Sequence, residues 1–150
     1  MSKEIRLKKG LNINLLGEAD KVYASIKPIS KFVVKPTDFY GLTPKLVVKE
    51  GDLVQAGSPL FIDKYSPNIN YASPVSGKVV EILRGAKRRI MEIIIHADED
   101  ISYKLFNIQD NNKLSKQQII DRMLESGVWP FIRQKPYDIV ANPDDNPKAI

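Results

Sequence analysis

Cysteine and histidine, the side chains that most often bind zinc or form a nucleophile–base pair, are almost missing from this 150-residue chain. There are no cysteines and one histidine, His96, so disulfides, cysteine-based zinc sites and a thiol nucleophile are excluded within these residues. The acidic run Asp98-Glu99-Asp100 follows, without the glycine and alternating ligands of a calcium loop. We interpret His96 as a strand-end residue with local hydrogen bonds, and a pH-sensing or ligand role is the alternative.

A basic turn is the second candidate site. It contains four cations within six residues: Arg84, Lys87, Arg88 and Arg89. Residues 1–97 carry 16 Lys and Arg against 9 Asp and Glu, whereas residues 98–150 carry 7 against 9, so the positive field belongs to the first part. With Lys78, this turn could meet RNA phosphates. The simpler interpretation of this turn is a solvated hairpin that protects a sheet edge. Among binding roles, docking to a protein or membrane surface is preferred to RNA binding.

The third candidate is the apolar run Val128–Ile132, which contains Trp129 and Phe131 and is followed by Arg133. A contiguous apolar run of this kind needs a partner surface, either the rest of this chain or another molecule. No GxGxxG and no P-loop is present, so no phosphate-cradling glycine loop is predicted. We assign no catalytic residue and no metal ligand.

The elements that position these residues are mostly short strands. From Lys45 to Leu83, apolar pairs and triplets alternate with turn residues, which predicts tightly wound antiparallel strands in a small barrel-like sandwich. The turns are assigned to five residues: Gly51, Asp52, Gly57, Pro74 and Gly77. Further strands are predicted at residues 31–34 and 90–96, and two short ones within residues 5–16.

A helix is predicted over residues 115–126. Ser115 and Gln118 have the spacing of a capping box, and Gly127 suits the left-handed position that ends a helix. The chain therefore divides into a β-rich domain at 1–100 with its core at about 30–96, a helical appendage at 101–138 and a linker at 139–150. The fold class is mainly β with an appended helix.

The stretch Val48–Leu60, with its Glu-Gly-Asp and Gly-Ser-Pro turns, and the stretch Ala72–Ile82 resemble the barrel-sandwich hybrid of biotinyl or lipoyl type. In such carrier domains a lysine at a hairpin tip is modified, and Lys64 in Asp63-Lys64 stands near that place. Tyr65 follows where the lipoyl motif has alanine. This departure counts against a carrier domain modified at Lys64, which stays an alternative. A basic β-barrel that binds RNA is another alternative.

Motifs along nearly the whole length resemble one family, the A-subunits of the sodium-translocating NADH:quinone oxidoreductase of bacterial membranes. They include, in chain order, Lys8–Leu11, Val48–Phe61 with Asp63-Lys64, Ala72–Ile82, Arg84–Arg88, Leu114-Ser115, Leu124–Trp129, Arg133–Tyr137 and Pro143–Ile150. Each motif alone is weak evidence for this family, whereas the whole set in this order is specific to it.

The resemblance implies a non-membrane subunit on the cytoplasmic face of the bacterial inner membrane, in a complex that passes electrons from NADH to quinone and exports sodium. Its expected partners are the other subunits and no nucleic acid. The complex would use NAD, flavins, iron–sulfur centres and quinone, and this chain would hold none of these cofactors. No apolar run approaches the ~20 residues of a membrane span. The family's chains continue past Ile150, so an amino-terminal part that serves as a docking scaffold is expected.

The family is also similar to flavin-binding subunits of other respiratory complexes, in which a glycine-rich loop follows the counterpart of Glu125–Gly127. Here that loop reads Val-Trp-Pro-Phe-Ile-Arg. Because backbone amides cannot approach a phosphate closely past Trp129 and Phe131, we expect flavin and NADH binding to be lost. The three residues Trp129, Phe131 and Arg133 could border a quinone pocket, although packing against the rest of the full-length protein is the preferred interpretation.

Overall fold

The computed structural model describes residues 29–106 and 114–146, together with residues 10, 16–23 and 25 near the amino terminus. The strands predicted within residues 5–16 fall mostly outside the described residues. The described elements are β1 (Lys31–Val34), β2 (Pro44–Leu46), β3 (Leu53–Val54), β4 (Pro59–Asp63), β5 (Asn70–Ala72), β6 (Gly77–Arg84), β7 (Ile90–Ala97), α1 (Lys116–Glu125), β8 (Arg133–Gln134) and β9 (Ile139–Val140). Short 3-10 turns lie at Pro36–Asp38, Ala86–Arg88 and Trp129–Phe131.

Two antiparallel sheets form the β-rich part. One has the strand order β1-β7-β6-β3 and the other the order β2-β4-β5. The strands β6 and β7 are each eight residues long and make a hairpin. A register shift between Val79 and Glu81 bends this hairpin, as an extra residue in one strand does. Such bends let short strands curl around a small core.

The core lies between the two sheets. Leu60 and Phe61 of β4 face Val79 of β6 and Ile93 and Ile95 of β7, and all five side chains are fully buried. These are the apolar groups that the sequence pattern placed inside, because large and β-branched side chains suit a half-buried pleated surface. The prediction of a mainly β fold with one appended helix is confirmed.

Gly77 is the glycine on which the β6–β7 hairpin depends most. It pairs with Ala97 at the open end of the hairpin and has φ of +151°. A Cβ at this position would overlap the carbonyl oxygen of His96 and lie 2.9 Å from the Cα of Ala97. Only glycine therefore allows the two strands to approach as they do.

Of the other predicted turns, Gly51 has φ of +93° and Gly57 has φ of +95°. The carboxylate of Asp52 accepts a hydrogen bond from the Lys49 amide at 3.0 Å. Pro74 lies in a bend between β5 and β6. These contacts close the loops that connect the two sheets.

The capping box is present. The Ser115 hydroxyl accepts a hydrogen bond from the Gln118 amide at 3.3 Å, and the Gln118 side chain accepts one from the Ser115 amide at 2.9 Å. Helix α1 follows directly and has ten residues. The predicted helix is confirmed because both donors at its amino terminus are satisfied as the pattern requires.

The end of the helix and the segment after it pack on the barrel, which is one of the two partner surfaces considered for the apolar run. Leu124 and Trp129 belong to the same core as the barrel strands. Within the segment predicted as a linker at 139–150, Ile139–Val140 pairs with Arg133–Gln134 as a two-stranded sheet. The Trp129 indole N–H donates to the Ala141 carbonyl at 2.8 Å, which fixes this hairpin against the core. No helix within the described residues has the length and apolar character needed to cross a bilayer.

Candidate functional site

The carboxyl end of α1 is held against strand β5 of the barrel. The Asn70 side-chain amide donates to the carbonyl oxygens of Leu124 at 3.3 Å and Glu125 at 3.5 Å. The last carbonyls of a helix have no amide one turn ahead to accept from, and here the Asn70 side chain supplies a donor from outside the helix. Gly127 lies directly on the strand: a Cβ there would be 2.7 Å from the Cβ of Ala72. The helix end and the barrel therefore form one packed unit.

The helix ends in a Schellman motif. The Val128 amide donates to the Met123 carbonyl at 3.1 Å, and the Gly127 amide donates to the Leu124 carbonyl at 3.3 Å. Gly127 has φ of +74°, which is the left-handed conformation that this motif requires. The glycine that precedes the apolar run thus has two structural roles, the cap and the close approach to β5.

The apolar run itself divides between the core and the surface. Trp129 is 8% exposed and Pro130 is fully buried, whereas Phe131 is 75% exposed. The amides of Phe131 and Ile132 donate to the carbonyls of Val128 and Trp129. The run is therefore a tight 3-10 turn that anchors Trp129 inside and presents Phe131 outside.

A groove lies where this turn meets the barrel, and we call it the junction groove. It has a volume of about 270 Å³. One wall is the 3-10 turn with Phe131, and the other is the barrel edge at Ala72–Pro74. Phe39 and Tyr71 line it as well. A second cavity of about 230 Å³ shares Tyr71 and includes Tyr40, Leu42, Asp63, Ile139 and Val140.

Stacked aromatic rings support the junction groove. The rings of Phe61 and Tyr71 stack with centroids 4.7 Å apart, and Phe39 meets Tyr71 edge-on, also at 4.7 Å. The Arg133 guanidinium lies 5.0 Å from the centre of the Phe39 ring, a cation–π contact. Arg133 also donates to the Asp138 carbonyl at 3.1 Å. The cation is thus fixed beside the aromatic stack.

Tyr71 is a buried titratable residue that lines both cavities. Burial, with the nearby negative charge of Asp63 as a smaller cause, raises the pKa of Tyr71 to about 12, although the Arg133 cation acts in the opposite direction. The phenol is consequently neutral at physiological pH and remains a hydrogen-bond donor. It cannot serve as a general base near neutrality.

The serine hydroxyls that line the groove are already hydrogen-bonded within the chain. The hydroxyl of Ser73 donates to the Val75 carbonyl at 2.6 Å, and that of Ser126 donates to the Met123 carbonyl at 3.2 Å. Both serines are engaged inside the chain, and no nucleophile–base pair is found among the described residues that line the groove. Among the described residues, no group of three or more carboxylates or histidines is placed to hold a metal ion. The groove suits a flat or apolar group more than a charged one.

Trp129, Phe131 and Arg133, predicted as one surface, occupy three environments. Trp129 supports the groove from the core, Phe131 forms its outer wall, and Arg133 is bound to Phe39 behind it. Sequence reasoning missed Phe39 and Tyr71 as partners of this surface, because they lie about 60 to 90 residues earlier in the chain. The pair Phe39-Tyr40 before Gly41 was the available signal.

The other candidate residues lie outside the groove. The Lys64 amide donates to the Thr43 carbonyl at 2.9 Å, so this lysine stands beside the end of β4 and not at the tip of the β4–β5 loop, where Pro67 and Asn68 form the turn. His96 is exposed and pairs in register with Lys31 on β1. The cations of the basic turn are exposed and line neither described cavity.

Comparison with known families assigns the chain to one of them. Residues 5–98 match the model described as NqrA N-terminal barrel-sandwich hybrid domain, and residues 114–150 match NqrA second alpha/beta domain. The chain belongs to the NqrA family. The barrel-sandwich hybrid predicted from the Gly-Asp and Ser-Pro turns is thus confirmed, and the second match includes the helix and the segment predicted as a linker.

Curated relatives agree with this assignment. The chain is 34% identical over 148 residues to the A-subunit of the Na(+)-translocating NADH-quinone reductase of Vibrio vulnificus (strain YJ016). It is 32% identical to the protein of that name from Pasteurella multocida (strain Pm70) and 30% identical to that from Pseudomonas aeruginosa (strain UCBPP-PA14). Each alignment covers 97% of this chain and 33% of the relative. The chain therefore spans about a third of the length of these relatives.

Proposed function

We propose that this NqrA-family chain is a docking scaffold in a sodium-translocating NADH:quinone oxidoreductase, on the cytoplasmic face of the membrane, without a flavin or NADH site of its own. Family membership and the names of its relatives support the assignment to the complex. The finer role depends on the loop after α1, whose counterpart in flavin-binding subunits is glycine-rich.

The main support for this proposal is that most backbone amides of the loop already donate hydrogen bonds within the chain. A phosphate cradle needs several free N–H groups that point at one place. Here the amides of Gly127, Val128, Phe131 and Ile132 all donate to carbonyls within the segment 123–132, and Pro130 has no N–H. Trp129 fills the space beneath the loop. Too few amides of this loop are left to converge on a phosphate.

An exposed apolar surface then remains for protein contact. Phe131 is 75% exposed, and Val128 and Ile132 beside it are partly exposed. Contiguous apolar side chains next to a groove are typical of a surface that another protein covers. An exposed aromatic side chain at the centre of such a surface commonly carries much of the binding energy. We therefore place Phe131 at the centre of the docking surface.

Co-purification tests the docking role. The tagged full-length protein is recovered from detergent-solubilised membranes of the native host, as the natural form, as Phe131→Ser and as Tyr65→Ser. Tyr65 is the matched control because it is also 75% exposed but lies in the β4–β5 loop. We expect the other subunits to accompany the natural form and Tyr65→Ser, and to be depleted with Phe131→Ser. Equal recovery with both variants would exclude a docking role for Phe131.

The absence of a flavin site has a separate test. The purified full-length protein, released from its partners, should show no visible flavin absorbance and no flavin fluorescence after denaturation. Titration of the 150-residue chain with FMN should leave the fluorescence of its single tryptophan, Trp129, unchanged. Stoichiometric FMN in the natural protein would contradict the inference from the loop amides.

Quinone contact at the junction groove is a second candidate function. The groove is lined by Phe39, Tyr71 and Phe131, and flat rings bind between aromatic side chains. Trp129 is the only tryptophan of this chain and lies in the turn that forms one wall. A soluble short-chain quinone should then quench Trp129 fluorescence saturably, and Phe131→Ala should weaken this quenching while Tyr65→Ala does not. Quenching that rises linearly with concentration would mean collision and no site.

A further inference from the structure

The β6–β7 hairpin has a charged tip that no other described element covers. Strand β1 pairs with β7 only as far as Ile93, and the loop before β3 accompanies β6 as far as Ile82, whose amide donates to the Glu50 carboxylate at 2.8 Å. From Leu83 to Met91 the hairpin has no neighbouring strand among the described elements. Every residue from Leu83 to Arg89 is exposed.

The tip is held in a fixed shape by its own backbone. The Gly85 amide donates to the Arg89 carbonyl at 2.8 Å, and the Arg88 amide donates to the Gly85 carbonyl at 3.1 Å. Lys87 and Arg88 have φ of 54° and 61°, a left-handed conformation that is uncommon for residues with a side chain. Two adjacent cations are therefore presented in a tight turn and not on a loose loop.

The charge of the tip is not neutralised by its described neighbours. No acid occurs between Leu83 and Met91, and in the described part of the chain the carboxylate of the next residue, Glu92, pairs with Lys35 at 3.4 Å. None of the four cations takes part in the ion pairs between described residues. The positive field of the tip therefore points into solvent.

Two aliphatic side chains accompany the cations. Leu83 is 39% exposed and Met91 is 37% exposed, and the Met91 thioether lies over Gly85. Lys and Arg side chains beside exposed aliphatic groups suit a bilayer interface, since the stems and the aliphatic groups reach the acyl boundary while the charges meet phosphates. A single-stranded nucleic acid would need aromatic stacking partners, and residues 77–97 contain no Phe, Tyr or Trp.

We propose that the β6–β7 hairpin tip, with Arg84, Lys87, Arg88 and Arg89 around Leu83 and Met91, binds the headgroups of an anionic bilayer. Electrostatic attraction contributes most to this contact, because each Lys or Arg close to an anionic leaflet raises the partition coefficient of the protein onto the bilayer by about fivefold. It is peripheral, because two aliphatic side chains bury too little area for anchoring. The inference rests on the hairpin alone and is independent of docking to other subunits.

Co-sedimentation with vesicles tests the proposal. The purified chain is mixed with vesicles of phosphatidylcholine alone, or of phosphatidylcholine with phosphatidylglycerol, at low and at physiological salt. We expect binding to the anionic vesicles only, weakening as salt rises. The triple variant Lys87→Asn, Arg88→Asn, Arg89→Gln should lower the partition coefficient by on the order of a hundredfold. Asparagine is chosen because it tolerates the left-handed conformation.

A matched control distinguishes the effect of the cations at the tip from the effect of the net charge of the chain. The variant Lys31→Gln, Lys45→Gln, Lys64→Gln also lowers the formal net charge from +5 to +2, and all three of these lysines are exposed outside the hairpin tip. It should retain most of the binding. Melting curves by circular dichroism establish that both variants are folded.

Three results would overturn the proposal. The first is equal binding to neutral and anionic vesicles, and the second is an equal loss in both triple variants. The third is salt-dependent binding to a uridine oligonucleotide with none to vesicles, which would assign the tip to nucleic acid. Because the vesicles contain no other protein, failure of the docking proposal for Phe131 would leave this measurement unaffected.

Discussion

The contact between Gly127 and strand β5 makes a quantitative prediction for Gly127→Ala. Two costs are expected. Placing an L-residue at φ of +74° costs about 1 kcal/mol relative to glycine. The added methyl carbon would lie 2.7 Å from the Ala72 Cβ and 3.2 Å from its amide nitrogen, and such overpacking costs about 1–3 kcal/mol. We expect Gly127→Ala to lower the free energy of unfolding by about 3 kcal/mol.

Gly41→Ala is the matched control. Gly41 has φ of +77°, close to that of Gly127, but a Cβ there would meet nothing within 4 Å. It should cost about 1 kcal/mol, the conformational part alone. The difference between the two variants therefore measures the contact between the helix end and the barrel.

Urea unfolding followed by Trp129 fluorescence and by far-ultraviolet circular dichroism provides the measurement. Trp129 reports on the junction itself, and coincidence of the two curves checks that the chain unfolds in one step. In the background Ala72→Gly, which removes the opposing methyl, Gly127→Ala should cost about 1–2 kcal/mol less. If Gly127→Ala and Gly41→Ala cost the same, helix α1 does not lie on β5 and the junction groove does not exist as described.

Three further variants test the fold and its electrostatics. Gly77→Ala should abolish the native circular dichroism spectrum, since its Cβ would overlap the His96 carbonyl oxygen; a folded product would refute that register. Ser115→Ala should cost about 1 kcal/mol and reduce helical signal, because the capping box is lost; an unchanged melt would contradict this. The pKa of Tyr71 is raised to about 12 from its ordinary 10.0, so its contribution to stability is complete below pH 10 and is lost as pH rises toward 12. Urea titrations of the natural chain and Tyr71→Phe should diverge over that range, and parallel curves would be evidence against burial of the phenol.

The sequence predicts best where one local signal decides the structure. Strand β7 consists largely of isoleucine, and Ile93, Ile94 and Ile95 are all buried, as expected for a strand covered on both faces. The helix start follows from Ser115 and Gln118 because a capping box uses atoms only three residues apart. Such short-range patterns need no knowledge of the rest of the chain.

Prediction fails where a distant contact decides. Strands β8 and β9 have two residues each, too few for any alternation to be visible. The Trp129 indole bonds to the Ala141 carbonyl directly after β9, and no local pattern indicates this contact. The bond from Asn70 to Leu124 crosses 54 residues. Nothing in the run Val128–Ile132 indicates which aromatic side chain faces the core and which faces solvent.

Gly127, in the loop after α1, has a role different from that of the glycines in a phosphate-binding loop. In a phosphate-binding loop, glycines allow backbone amides to surround an anion. Here Gly127 ends the helix and touches Ala72, and the amides that follow are consumed by the Schellman motif and the 3-10 turn. Because four of these amides donate within the segment 123–132 and Pro130 has no N–H, we expect the loop to act chiefly through exposed side chains such as Phe131. Recognition by an aromatic side chain at an apolar surface is suited to a protein partner or a flat ring, and unsuited to a phosphate.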